Sequence, residues 1–288
     1  MQPSGSFKIR GIGHWCSHAV KHGATEFVTS SGGNAGMAVA YAGRRLGVPV
    51  TVVVPSTTPF FVVDRLKEEG AHVLVTGSVW DEANEAALEL TKTRSATTTF
   101  IHPFDHELLW QGHASLVDEL AADLPHNVKP AAIVCSVGGG GLLNGLVYGL
   151  RRNRDWADVP VLATETEGAS CFYQAVQAGA PVTLAGITSV AKSLGALRVS
   201  TRSLELAREH TIYPILVSDA NALGACAHFL DDHRMLVEPA CGAALAVIYE
   251  QIARKALPQL TPESVVVVVV CGGQLVTPAL LQQWRCVL

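Results

Sequence analysis

The 288-residue chain is short of charge: Asp, Glu, Lys and Arg make up 16% of it, against 49% apolar residues. An ordinary soluble domain carries roughly 25% charged residues, so much of this chain is expected to be buried. It has no basic run, and its formal net charge is −4, which removes the electrostatic footprint of a nucleic-acid binder. Its seven cysteines are scattered, odd in number and never spaced C-x-x-C. That argues against a disulfide framework and for a reducing compartment, the cytoplasm by default. Eleven histidines include no H-E-x-x-H and no Cys/His zinc spacing. No apolar run approaches the roughly 20 residues that span a bilayer, so no membrane association is expected. The first residues do not read as a signal or transit peptide, and there is no internal repeat.

What is present is a regular alternation. Strands are expected at 26–31, 50–54, 71–76 and 97–101, with helices from Asn34 to about Leu46, over 59–69 and over 81–93. Longer helices follow at 107–124, 142–150, 221–232 and 240–255, with strands at 131–137, 160–164 and 265–270. Residues 168–211 read as mixed. The six consecutive valines Val265 to Val270 suit a strand buried on both faces. The rhythm implies α/β architecture with open parallel sheets. It changes character near residue 104, so a smaller unit over 10–104 and a larger one from 1–9 and 105–288 are expected, with a ligand cleft between them.

Two features carry chemistry. Lys8 lies between Phe7 and Ile9; partial desolvation there disfavours the ammonium, as a Schiff-base amine requires. Lys192, in a small-residue loop, is its rival; the other lysines read as solvated. The run Gly138, Gly139, Gly140, Gly141 falls between an expected strand and an expected helix, the arrangement of a phosphate cradle. Read as G-x-G-x-x-G it places Leu143 where the third glycine belongs, so the dinucleotide fingerprint fails and a single phosphate fits better. An aldehyde trap and a phosphate seat together suggest pyridoxal phosphate. Ser31, Gly32, Gly33, Asn34 and Ala35 form a strand-to-helix turn, either an anion clamp of backbone amides or a tight turn with Asn34 as helix cap. Cys271 is a candidate site residue or a small buried hydrophobe. Glu165 and Glu238 read as surface charges or as carboxylates in apolar surroundings.

Together, Ser-Phe-Lys-Ile-Arg-Gly, Ser-Ser-Gly-Gly-Asn-Ala-Gly, the tetraglycine and Val-Cys-Gly-Gly resemble the serine/threonine dehydratase family of fold-type-II (tryptophan-synthase-like) pyridoxal-phosphate enzymes. Residues 187–195 and 235–244 narrow the resemblance to the animal L-serine dehydratases, and Gly32 to their serine dehydratase-like branch. The resemblance implies that Lys8 carries the cofactor and removes the substrate α-proton. It implies that Phe7 and Ser193 flank the ring, that Asn34 contacts its hydroxyl and that Cys271 faces its nitrogen. Residues Ser31 to Ala35 would receive the substrate carboxylate and Gly138 to Gly141 the cofactor phosphate. The implied reaction converts L-serine to pyruvate, or L-threonine to 2-oxobutanoate, with release of ammonia. That is a step of amino-acid catabolism feeding gluconeogenesis. A monovalent cation such as K+ would map to Gly138, Glu165, Ala169, Leu194 and Ala196, with Cys171 where relatives have serine. A homodimer is implied, with a small amino acid as the binding partner. Serine racemase activity, or an inactive binding or regulatory chain, is the alternative. Relatives carry a few dozen residues before the lysine, whereas Lys8 lies near the start here. The expectation is therefore an uncovered part of the larger core, a fraying Lys8 and weak cofactor retention.

Overall fold

The computed structural model describes residues 2–125 and 128–287, and the chain divides into two units, Met1–Gly112 and His113–Leu288. The first unit runs α1 (Lys8–Lys21), β1 (Glu26–Thr29), α2 (Asn34–Leu46), β2 (Val50–Val54), α3 (Phe60–Glu68), β3 (His72–Val75), α4 (Trp80–Thr93) and β4 (Thr98–Phe100), ending within α5 (Glu107–Asp123). Its four strands are all parallel, in the order β3-β2-β1-β4. The chain winds outward from β1 to β3, then returns to the other side of β1. The C-terminal ends of β1 and β4 therefore flank the topological switch point, where open α/β sheets seat ligands. Val28 and Val53 of the sheet pack beneath Ala83 and Ala87 of α4.

Helix α1 was not expected from the residues around Lys8. Its buried residues Gly11, Ile12, Trp15 and Cys16 form one stripe, and the helix packs on α2. Gly112 comes so close to α1 that a Cβ on it would lie 2.5 Å from the Arg10 carbonyl oxygen. This packing differs from the expected division: residues 1–9 and 105–112 belong to the first unit.

The second unit holds the rest of α5, then β5 (Ala132–Ser136), α6 (Gly141–Arg152), β6 (Val161–Thr166), α7 (Cys171–Ala178), α8 (Thr201–Glu209), β7 (Ile212–Val217), α9 (Asp219–His233), α10 (Pro239–Tyr249), α11 (Ile252–Ala256), β8 (Val266–Val268) and α12 (Pro278–Val287). Its strands are also parallel, in the order β7-β6-β5-β8. Ala132, Val134 and Leu162 meet Ala244, Val247, Ala253 and Leu257 in the core. Strand β7 was missed because Pro214 interrupts its apolar run, a residue an edge strand tolerates. The valine run is corrected: only Val266–Val268 form a strand, half-buried at the sheet edge, and Val270 is exposed. Among the described residues no helix is long and apolar enough to cross a membrane.

Candidate functional site

Lys8 is the first residue of α1, directly after Phe7. It is half-buried, whereas Lys21, Lys67, Lys92, Lys129, Lys192 and Lys255 are all exposed. The rival Lys192 donates to the Ile187 carbonyl at 3.2 Å. Lys8 Nζ sits 5.4 Å from the centroid of the Phe7 ring and donates to the Pro103 carbonyl at 2.6 Å. In the segment before it, Ser4 is 4% exposed and Ser6 2%. Both serine hydroxyls are buried without a hydrogen-bond partner among the described residues. Such orphaned groups are costly in a finished interior.

His102 completes this region, and the sequence reading missed it. Its Nδ1 accepts from the backbone N–H of Phe104 at 3.3 Å and of Asp105 at 2.9 Å. Burial, with smaller contributions from the charge of Lys8 and from His106, lowers its pKa to about 4. The ring is therefore neutral at pH 7, its Nδ1 the acceptor and its Nε2 the protonated nitrogen.

Ser31, Gly32 and Gly33 follow β1, and α2 begins at Asn34 with Gly33 in the cap position and no side-chain cap. Asn34 is thus inside the helix and is not its cap. The Gly33 N–H donates to Ser31 Oγ at 3.3 Å. The turn folds back so tightly that a Cβ on Gly36 would lie 1.7 Å from the Ser31 carbonyl oxygen. The first-turn amides of α2 have no intrahelical partners and present partial positive charge, a seat for a carboxylate. A Cβ on Gly32 would lie 3.0 Å from Val54 Cγ1 and 3.2 Å from Thr58 Cγ2, so alanine there would require both to give way.

In the second unit, Gly138 to Gly141 join β5 to α6. Gly140 has φ +93°, and a Cβ on it would strike Ser203 Oγ at 1.9 Å. Helix α6 starts from it without a side-chain cap. The turn is braced from the start of α8: the Ser200 N–H donates to the Gly139 carbonyl at 3.1 Å, Asn144 donates to Ser200 Oγ at 3.0 Å and Ser203 donates to Asn144 Oδ1 at 2.7 Å. Cys271 follows β8, its Sγ 3.5 Å from Ser136 Oγ. A hydrogen bond with Cys241, together with burial, raises its pKa well above the ordinary thiol value, so the thiol is neutral. Ser193 donates to Glu238 Oε2, and the Leu275 N–H donates to Glu238 Oε1 at 2.7 Å.

The two glutamates are not surface charges: Glu165 is 0% exposed and Glu238 2%. Glu165 accepts from the N–H groups of Phe172 at 3.0 Å and Tyr173 at 2.6 Å. Burial nevertheless raises its pKa to about 8. Beside it, Cys171 donates to the Gly138 carbonyl at 3.5 Å, and the Cα of Gly138 faces Leu194. Glu165, Cys171, Gly138 and Leu194 are thus neighbours, and Ala169 bridges to Thr166 beside Glu165. Among the described residues no three of His, Cys, Asp and Glu are grouped to hold a metal ion, so any cation here would rest chiefly on oxygens of the backbone.

Two switch-point sheets, two uncapped helix N-termini and one half-buried lysine define the class of fold-type-II pyridoxal-phosphate enzymes. The residues fit that cofactor: in the first unit a half-buried amine opens α1, and in the second the glycine turn before α6 has no room for a side chain at Gly140, as a phosphate seat requires. The comparisons agree. The model of the family "Pyridoxal-phosphate dependent enzyme" matches residues 1–272, and the chain belongs to that family. It is 52% identical over 284 residues to "L-serine dehydratase/L-threonine deaminase" of Mus musculus, covering 98% of this chain and 86% of the relative. It is 53% identical over 288 residues to "Serine dehydratase-like" of Homo sapiens, with 98% and 85% covered. The crystal structure of a fungal L-serine ammonia-lyase from Rhizomucor miehei superposes with a TM-score of 0.92 at 41% identity, covering 99% of this chain and 90% of that one. Serine racemase from Dictyostelium discoideum, at 24% identity and a TM-score of 0.84, shares the fold.

Proposed function

We propose that this chain is an L-serine and L-threonine ammonia-lyase, producing pyruvate or 2-oxobutanoate and ammonia. The observation that carries the reading is identity above 50% with serine dehydratases across 98% of the chain. Pyridoxal phosphate, when bound, supplies the aldehyde that condenses with amines and a conjugated ring that accepts the electron pair left on the α-carbon. Lys8 would hold the cofactor through its aldehyde, and its free amine would take the substrate α-proton. The amides of the Ser31 to Ala35 turn, at the N-terminus of α2, would orient the substrate carboxylate, and Gly138 to Gly141 would hold the phosphate at the N-terminus of α6. Phe7 and Ser193 would flank the ring, and Asn34 would meet its hydroxyl. Cys271, a neutral thiol, would stand by the ring nitrogen as a poor proton donor, which would favour elimination over transamination.

Further parts of the proposal are finer. A potassium ion would be held beside Glu165 by oxygens of Gly138, Ala169, Leu194 and Ala196, hard donors of the kind such a cation takes. The protein works as a cytoplasmic homodimer in amino-acid catabolism that feeds gluconeogenesis. Assays of 2-oxo acid from L-serine and L-threonine, in KCl and in NaCl, test the reading. Lys8→Ala is expected to abolish turnover, and borohydride reduction of the loaded protein is expected to label Lys8. D-serine as the main product, or no 2-oxo acid with Lys8 labelled, would overturn it.

A further inference from the structure

The amine of Lys8 has a specific acceptor, the carbonyl of Pro103 at 2.6 Å. That carbonyl shares a peptide unit with the Phe104 N–H, which donates to His102 Nδ1. A trans peptide points its C=O and N–H in opposite directions, so pinning the N–H on His102 aims the carbonyl away from the imidazole. The Asp105 N–H donates to the same nitrogen, the Trp110 indole donates to the Phe104 carbonyl at 2.8 Å, and the proline ring limits φ at 103. The turn after β4 is therefore held at three consecutive residues, and its Pro103 carbonyl meets Lys8.

We propose that the 102–105 turn is a docking station for the protonated Lys8 amine, with His102 as the positioning residue that aims the Pro103 carbonyl. This deepens the ammonia-lyase reading and rests on it for the moment at which docking matters. When Lys8 acts as base, the substrate α C–H bond breaks, its proton joins Nζ as a new N–H bond, and the electron pair stays with the substrate carbon. The amine becomes an ammonium, and a fixed carbonyl acceptor stabilises that charged product more than it stabilises the neutral amine. The station thus strengthens Lys8 as a base at the one step that requires it.

The groups facing the amine do not oppose this. His102 is neutral, and His106 at the start of α5 has its pKa lowered, chiefly by burial, so neither imidazole competes as a cation for the carbonyl. The Phe7 ring lies 5.4 Å from Nζ and favours the ammonium as well.

The test compares His102→Leu, which has no acceptor, with His102→Asn, whose side-chain oxygen can take the same two amides in an Asx turn. In the full chain before pyridoxal phosphate is added, acetic-anhydride labelling of the Lys8 peptide is followed by mass spectrometry across pH. A midpoint is read rather than a rate, so changed access does not mimic the effect. His102→Leu is expected to lower the Lys8 midpoint by about half a pH unit or more, one hydrogen bond's worth, and His102→Asn to restore it. In the loaded enzyme, His102→Leu is expected to lower kcat about tenfold with KM little changed, and to enlarge the isotope effect with α-deuterated serine. If His102→Leu does not fold, His102→Gln, whose acceptor is one carbon too distant, is expected to show the same midpoint shift. An unchanged midpoint in the acceptor-less variant overturns the docking proposal even if pyruvate is formed. A shifted midpoint with no 2-oxo acid from serine leaves the docking station standing and removes the ammonia-lyase reading.

Discussion

Replacing Glu165 by glutamine should change how stability depends on pH. The carboxyl is fully buried, and burial raises its pKa from an ordinary 4.5 to about 8, against the pull of two backbone amides. Between those values the folded chain holds a proton that the unfolded chain has lost. Stability is therefore full below 4.5 and falls as pH rises toward 8, after which the loss is complete. The span corresponds to an upper bound of about 5 kcal/mol, or about 10 °C of melting temperature at about 2 °C per kcal/mol for a chain this long. Glutamine keeps one acceptor oxygen but turns its NH2 toward the other amide, costing about 1–3 kcal/mol at every pH. The readout is the difference between wild type and Glu165→Gln in melting temperature, measured at intervals from pH 5 to pH 9. Wild type should lead at pH 5, and the lead should shrink or reverse by pH 8.5. A difference that stays constant over this range would mean that Glu165 does not titrate there and that the argument from burial is wrong. Repeating the series in KCl adds a second reading: a cation beside Glu165 should flatten the wild-type slope, because it stabilises the carboxylate.

Gly140→Ala combines a φ of +93° with a Cβ 1.9 Å from Ser203 Oγ. It should cost about 2–4 kcal/mol and weaken pyridoxal-phosphate binding at least tenfold, checked by thermal melting and by titration of cofactor fluorescence. An alanine variant that retains affinity would show that the turn does not hold the phosphate. Ser6→Ala removes a buried hydroxyl with no partner among the described residues, so the chain without cofactor should become equally stable or more stable by about 1 kcal/mol. The same variant should bind cofactor or serine less tightly. A loss of stability without any loss of binding would show that the hydroxyl serves the fold and not a ligand.

Much of the site was legible because its signals are local. A strand followed by Gly138 to Gly141 and a helix needs only neighbouring residues to be read as a phosphate turn, and the Ser31–Ala35 turn is similar. The apolar flanks made Lys8 a candidate beside Lys192, and the family resemblance chose between them; in the structure Lys8 is half-buried and the other six lysines are exposed. His102 and Pro103 were not legible, since nothing near residue 8 says that a turn 95 residues later supplies its acceptor. Glu238 was ambiguous for the same reason: its partners Ser193 and Leu275 are 45 and 37 residues away.

What the sequence determined alone is the parallel α/β pattern, because a periodicity of two or 3.6 and the glycines at strand ends are properties of short segments. Tertiary structure decided which of those segments are edges. The valine run, read locally as doubly buried, became the border strand β8 because α9 and α10 carry the chain to the far side of β5. Tertiary structure also decided that α1 exists as a packed helix, that residues 1–9 travel with the first unit, and that Glu165 and Glu238 are inside. Burial is a sum over neighbours from distant parts of the chain, and a charge state or an aimed carbonyl depends on that sum, so neither could be read from the residue and its flanks.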